Sequence, residues 1–393
     1  MSTSLGLDSA SDLTPDEIGE AVRWRHDLHA RPELAFEEHE TSAFVAGQLA
    51  AFGYEVHTGL ARTGVVGTLR RGSGQRSIGL RADMDALPIE EATGAAYRSR
   101  VPGKMHACGH DGHIATLLAA ARLIARTPFD GAVHLVFQPA EENEGGAREM
   151  LRDGLLQRFP MDTVYGMHNW PGLDLGECGV REGPLMAAFG TFEITVSGRG
   201  AHGAMPHEGA DPVVAASAIV GAIQTIASRN VPPIEAGVVS VTQIHGGDTW
   251  NVIPEKVVLR GTTRWFREEV GDTIRERLQA LPTAIAAGYG CAAITVHTDR
   301  YPATVNDAAS TEVVREAASR PSVGLKVAEL GLNMAAEDFA FILRERPGSY
   351  FMLGGRRAGE NPNLHSPRFD FNDAIIPHGA RLWRELVRAS LPA

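Results

Sequence analysis

Met105–Glu142 reads MHACGHDGHIATLLAAARLIARTPFDGAVHLVFQPAEE, and its internal rhythm decides the fold class. From Gly112 to Arg126, the residues Ile114, Leu117, Leu118, Ala121 and Ile124 recur at the spacing of one helix face. Ala132–Phe137 follows as a short, strongly apolar run, the pattern of a buried strand. Working outward, β-like runs occur at Gly64–Leu69 and Ser77–Ala82 on one side and at Thr163–Met167 on the other. Further upstream, Pro15 to about Phe52 is helical through Ile18, Val22, Leu28, Phe44, Val45 and Leu49, with a break at Pro32. Strands alternating with helices predict an α/β domain: a mixed, largely parallel sheet flanked by helices.

Past Gly183-Pro184 the rhythm changes. TFEITVS (Thr191–Ser197) alternates like a half-exposed strand. Asp211–Arg229 reads as a long helix, with Asp211 as cap and Pro212 at its first position. Strands at Gly237–Ile244 and Lys256–Phe266, a helix at Glu268–Ala287 and a strand at Ala292–Thr298 complete the order strand–helix–strand–strand–helix–strand, which is ferredoxin-like. The expectation is an inserted α+β domain over 187–300, interrupting a discontinuous domain of residues 1–186 and 301–393. That domain resumes with helices and a strand near Ser349–Leu353, and closes on a helix from about Asn372 to Leu391.

Bulk properties narrow the function. At 393 residues the chain exceeds one ordinary core. A net charge of -11 gives no electrostatic support for binding nucleic acid or an anionic membrane. The N-terminus has no basic segment followed by an apolar one, so no secretory signal is expected, and its Ser/Asp-rich start should fray. The apolar stretch around Ile114 to Ala125 is read as the longest of the chain and falls short of the roughly 20 residues of a membrane span. Three cysteines, Cys108, Cys178 and Cys291, do not make a disulfide framework and suit a reducing cytoplasm.

Four segments carry chemistry. MHACGHDGH packs three histidines, a cysteine and an aspartate into nine residues just before a helix. Thiolate and imidazole suit zinc and other transition metals. Cys108 and His110, two apart, should face the same way in extended backbone. QPAEE follows the apolar strand, where α/β sheets place their sites. Its adjacent carboxylates, Glu141 and Glu142, call for a compensating cation. His168 in GMHNWP ends another apolar strand, and His365 in LHSP lies in a Gly/Pro/Asn-rich loop; either alone is equally well an ordinary histidine. Asp83 and Asp85 in RADMDALP also follow a strand and suit a role orienting a ligating histidine.

Competing motifs fall away. Gly198–Gly203 (GRGAHG) matches a dinucleotide fingerprint, but Pro206 interrupts the entry to the next helix and no Asp or Glu occurs between Asp211 and Glu235. No G-x-S-x-G elbow or Walker loop is present. A closed structural zinc site would leave Glu141 without a role.

Taken together, RADMDALP, MHACGHDGH, FQPAEE, GMHNWP, GRGAHGAMPHEG, NVIP, EDF and LHSP resemble, in order from about Arg25 to the C-terminus, the hippurate hydrolase / indoleacetyl-amino-acid hydrolase family. That family is a branch of the aminoacylase and glutamate-carboxypeptidase superfamily. The resemblance implies a catalytic domain with two divalent ions (Mn or Zn, with Co or Ni as further choices) and an inserted lid domain that pairs subunits into a homodimer or higher homo-oligomer. It implies Cys108 as the bridging ligand, with His110, Glu142, His168 and His365 as the others. Glu141 would be the general base on a metal-bound water. His202 would be a lid histidine reaching the partner's site, with Asn251 and Arg264 near the substrate. Arg81 stands where the wider superfamily has a ligating histidine, so it is not expected to be a ligand. The implied activity is amide hydrolysis of N-acyl amino acids such as hippurate, N-acetyl or indoleacetyl conjugates. A dipeptidase or carboxypeptidase, an aromatic-amine deaminase, or a non-catalytic metal-binding protein on the same scaffold are the alternatives.

Overall fold

The computed structural model describes residues 12–393. The expected frayed start and the reading of the leader fall largely on residues 1–11, outside the described residues. Two compact units divide the chain: one runs to Leu185 and adds Val305–Gly331 and Asp338–Ala393, the other holds Met186–Thr304 and Leu332–Glu337.

The first unit is built on an eight-stranded sheet in the order Glu55–Leu60, Gly64–Arg71, Gly131–Gln138, Ser77–Asp83, Thr163–Asp174, Gly348–Arg356, Glu177–Val180, Lys326–Glu329. Its middle strands, from Gly131–Gln138 to Gly348–Arg356, are mutually parallel. Antiparallel pairs flank them, and the last pair is again parallel. The parallel strands are apolar along their length because both faces are covered: every residue of Ser77–Asp83 and Gly131–Gln138 is buried. The helix His110–Ile124 is buried almost all round and packs against Pro15–His29 and Ile375–Ser390. The α/β class with a mixed, mostly parallel sheet flanked by helices is therefore present.

The second unit has a four-stranded antiparallel sheet in the order Gly237–His245, Lys256–Trp265, Ala188–Ser197, Ala292–Tyr301. Numbered along the chain this is 2-3-1-4, the ferredoxin-like arrangement. The helices Pro212–Thr225 and Glu268–Gly288 contribute to its separate core through Ala215, Ile219, Ile223, Ile274 and Leu278. Asp211 caps the first of them, its carboxylate accepting the Val213 N–H at 2.8 Å.

One expectation needs correcting. Among the described residues, the longest apolar helix is not the one near Ile114 but Pro212–Asn230, whose 19 residues suffice by length and composition alone to cross a membrane. It extends the regular helix through a π-helical turn, Ile226–Asn230. Ala216, Ile219, Ile223 and Ile226 bury one side of it in the unit's own core, while Val213 and Val214 are exposed.

Candidate metal centre

The parallel strands deliver the chemistry at their C-terminal ends, as open α/β sheets do. Ser77–Asp83 ends on Asp83 and leads to Asp85, Gly131–Gln138 leads to Glu141 and Glu142, and the loop after Gly348–Arg356 brings His365. His168 differs from expectation: its strand continues to Asp174, so it lies inside the strand, in register with Met352. Cys108 and His110 also differ. They are not in extended backbone, because Gly109 takes φ 96° and His110 is already the first helical residue. The left-handed turn, open to glycine without strain, brings the two side chains to one place.

Two triads share one residue. The donor atoms of Cys108, His110 and His168 lie within 4.8 Å of one another, as do those of Cys108, Glu142 and His365. Cys108 Sγ is 3.3 Å from His168 Nε2, and His365 Nε2 is 3.2 Å from Glu142 Oε1. Glu141 joins a third group with His110 and Glu142.

The hydrogen bonds set the tautomers. His110 Nδ1–H donates to the Asp85 carbonyl at 2.8 Å, and His168 Nδ1–H to the Asn169 carbonyl at 2.7 Å. A carbonyl only accepts, so a proton sits on Nδ1 of each ring and Nε2 is the atom turned inward, as in metal-ligating histidines. His110 Nε2 is buried without a hydrogen-bond partner, and Glu142 Oε1 is buried facing His365 Nε2 at 3.2 Å. A buried polar atom left without a partner points to a missing ligand. Sulfur, nitrogen and carboxylate donors around these two atoms fit a pair of transition-metal ions.

Electrostatics agree with such a fit. Burial, then the neighbouring His113, hold His168 well below the ordinary histidine range, so it is neutral. Burial also opposes charge on His110, but Asp83, Asp85 and Cys108 together carry it well above that range. Burial and the Glu142 charge push the Cys108 thiol up. Hydrogen bonds to Cys108 and then Glu142 raise His365 to about 10 despite partial burial. Cations entering here would release protons from these groups.

Around the donors lies a buried frame. Arg81 donates to Gln138 Oε1 at 2.8 Å, Asp83 Oδ2 at 2.8 Å and Asp338 Oδ1 at 3.0 Å. It thus neutralises carboxylates. Asp85 accepts the backbone N–H of Glu141 at 3.0 Å and of Glu142 at 2.9 Å. The sequence reading missed His113, whose Nδ1–H donates to Asp83 Oδ1 at 2.6 Å and whose Nε2 accepts the Asn169 N–H at 3.1 Å. Its place three residues after His110 in a helix was the available signal, since such pairs share a face. Gln138 and Asp338 were missed as well, although they stand inside QPAEE and EDF; Glu38 was missed too and carried no local signal.

The remaining candidates lie in the second unit. His202 pairs with Val252 in a short ribbon, next to Asn251, whose carbonyl accepts the Gly203 N–H at 2.8 Å. The Ala204 N–H donates to His202 Nδ1 at 3.1 Å, which leaves an exposed Nε2–H as donor. Arg264 is on the four-stranded sheet, its guanidinium 4.0 Å from the centre of the Phe189 ring and its Nη1 donating to Thr262 Oγ1 at 2.7 Å.

Comparison with known proteins adds to this geometry. Residues 79–389 match the model of Peptidase family M20/M25/M40. The chain is 41% identical over 354 residues to an N-acetyl-L-cysteine deacetylase of Bacillus subtilis, spanning 90% of this chain and 83% of that one. It is 38% identical over 377 residues to a hippurate hydrolase of Campylobacter jejuni, spanning 95% and 97%. Among solved structures, a dinuclear metal-binding peptidase of the M20 family from Bacillus subtilis superposes with a TM-score of 0.84 at 33% identity, over 95% of this chain and 98% of that one.

Proposed function

The chain belongs to Peptidase family M20/M25/M40 and is a metal-dependent amidohydrolase, and from that premise we propose that it cleaves N-acyl amino acids to a carboxylic acid and a free amino acid, with Glu141 as general base. The observation that carries this reading is the pair of triads sharing Cys108, one buried and one opening to the exposed His365, with the Glu141 carboxylate beside His110 and Glu142. Two relatives that cover nearly the whole chain are named for an N-acetyl and an N-benzoyl amino acid, which supports the substrate class.

Two divalent ions, with manganese or zinc as our assignment, held by Cys108, His110 and His168 and by Cys108, Glu142 and His365, would supply Lewis acidity to a water and to the scissile carbonyl. Glu141 takes the proton of the attacking water and returns it to the nitrogen as the carbon–nitrogen bond breaks. In this reading His202 donates its Nε2–H to the developing oxyanion of the partner subunit's substrate in a homodimer, a contribution of about 10²–10³ in rate for a donor of this kind. Asn251 and Arg264 are assigned to the substrate's amide and carboxylate. Three sparse cysteines, none paired, suit a cytoplasmic enzyme.

The test pairs two variants. Glu141→Gln should retain two ions per subunit and lose about 10²–10⁴ in kcat; full turnover would exclude Glu141 as base. Mixing Glu141→Gln with His202→Ala subunits should restore activity that neither shows alone. No recovery after confirmed subunit exchange would sink the action in trans. Assays on hippurate, N-acetyl and indoleacetyl amino acids, and dipeptides, each with Mn, Zn, Co and Ni, identify the acyl group and the metal.

A further inference from the structure

Glu38 is fully buried, just before the helix His39–Ala51. A carboxylate so placed is costly unless its oxygens find donors. Burial, with the Asp85 charge nearby, pushes its carboxyl up to about 7. Its oxygens accept the Thr63 hydroxyl at 2.6 Å and the Ala140 backbone N–H at 2.9 Å. Neither donor is a cation, so tying down these groups is the evident return on burying the acid. Ala140 itself has φ 54°, a left-handed conformation that strains a residue with a Cβ. Such strain persists only where the surroundings over-determine it, and it clusters at functional sites.

The residue after Ala140 is Glu141. Its N–H and that of Glu142 both end on Asp85. Three successive backbone N–H groups are therefore held by two buried carboxylates that come from distant parts of the chain. Resting on the reading of Glu141 as base and Glu142 as ligand, we propose that Glu38 is a positioning residue: it pins Ala140 in the left-handed turn and so sets where the Glu141 and Glu142 carboxylates point. Without it, Ala140 relaxes toward negative φ and both side chains swing.

The experiment compares Glu38→Ala, Glu38→Gln and Thr63→Val in the full-length, metal-loaded enzyme. A glutamine still accepts the Ala140 N–H through its oxygen, and its NH₂ donates to a Thr63 hydroxyl turned to accept. Glu38→Gln should therefore stay within about threefold of wild type in kcat and in resistance to chelators. Glu38→Ala should lose about 10–100-fold in kcat, with KM within threefold, because misplacing a reacting group by an ångström costs about that much. It should also release an ion about 10-fold more readily, since Glu142 is a donor of the triad with Cys108 and His365. Thr63→Val should fall between the two. Wild-type kcat and metal retention in a cooperatively melting Glu38→Ala enzyme would overturn the proposal, as would a Glu38→Gln enzyme impaired as much as Glu38→Ala. If Glu38→Ala does not fold, an unaffected Thr63→Val beside an impaired Glu38→Gln overturns it instead. A fully active Glu141→Gln enzyme would remove the base from the argument and leave the effect on ion release standing, so the two failures are distinct.

Discussion

Replacing Arg81 by methionine keeps an apolar chain of similar length and deletes the guanidinium between two buried carboxylates. Arg81 is 2% exposed, and the side chains of Asp83 and Asp338 are 0% exposed. Removing one partner of a buried ion pair costs about 3–5 kcal/mol, because the other charge is left uncompensated. The structure argues for the lower end. Asp83 keeps the His113 Nδ1–H at 2.6 Å, while Asp338 keeps Gln138 Nε2 at 2.8 Å and the Ala147 N–H at 2.9 Å. The expected loss is about 3 kcal/mol, read as a lower urea midpoint for the metal-free protein at pH 7. Adding Asp338→Asn to Arg81→Met removes one of the stranded charges and should recover part of that loss. The reasoning is refuted if Arg81→Met unfolds within about 0.5 kcal/mol of wild type, the range of an ordinary surface substitution, or if the second substitution only deepens the loss.

Cys108→Ser removes the donor common to both triads, so metal content by elemental analysis should fall well below two ions per subunit; an unchanged count would show that the sulfur is not shared. His29 supplies a pH dependence. Burial disfavours its charge, but the Asp111 carboxylate at 2.8 Å outweighs this and lifts its pKa from 6.5 to about 9. A raised histidine stabilises the fold fully below its unfolded pKa, and that stabilisation is lost as pH rises through the folded value. Stability should therefore drop by up to about 3 kcal/mol between pH 6.5 and 9.5, and His29→Asn should flatten that window; an equal slope in both proteins would contradict the assignment.

Most of the fold was legible because its elements carry a period. The helix after His110 shows its apolar face at the expected spacing, and TFEITVS shows the alternation of a sheet with one covered side. The illegible parts lack a period for physical reasons. Glu177–Val180 and Lys326–Glu329 are four residues each, too short to establish one. Glu55–Leu60 is a sheet-edge strand in which only Leu60 is fully buried. Leu332–Glu337 clusters with the second unit without forming a helix or strand there.

The site divides in the same way. Cys108 and His110, and Glu141 with Glu142, stand out because they are dense in sequence. His168 and His365 are isolated, weak candidates by themselves, and were assigned as ligands only through resemblance to a family. Their convergence is tertiary: the parallel pairing of Thr163–Asp174 with Gly348–Arg356 brings together segments far apart in the chain. Glu38, in an ordinary acidic run, had nothing local to mark it, since its role depends on a backbone N–H that is remote in sequence.

That separation also orders events during synthesis. Cys108, His110 and His168 all precede the second unit, whereas His365 follows it. At about 5–20 residues per second, roughly 10–40 s pass between translation of His168 and of His365. During that interval the nascent chain holds one complete triad and lacks the last donor of the other. The strand Gly348–Arg356, neighbour to the strand that carries His168, is also still missing. The Cys108, Glu142 and His365 triad is therefore complete only after the intervening unit has been translated, which makes it a late marker of a finished chain.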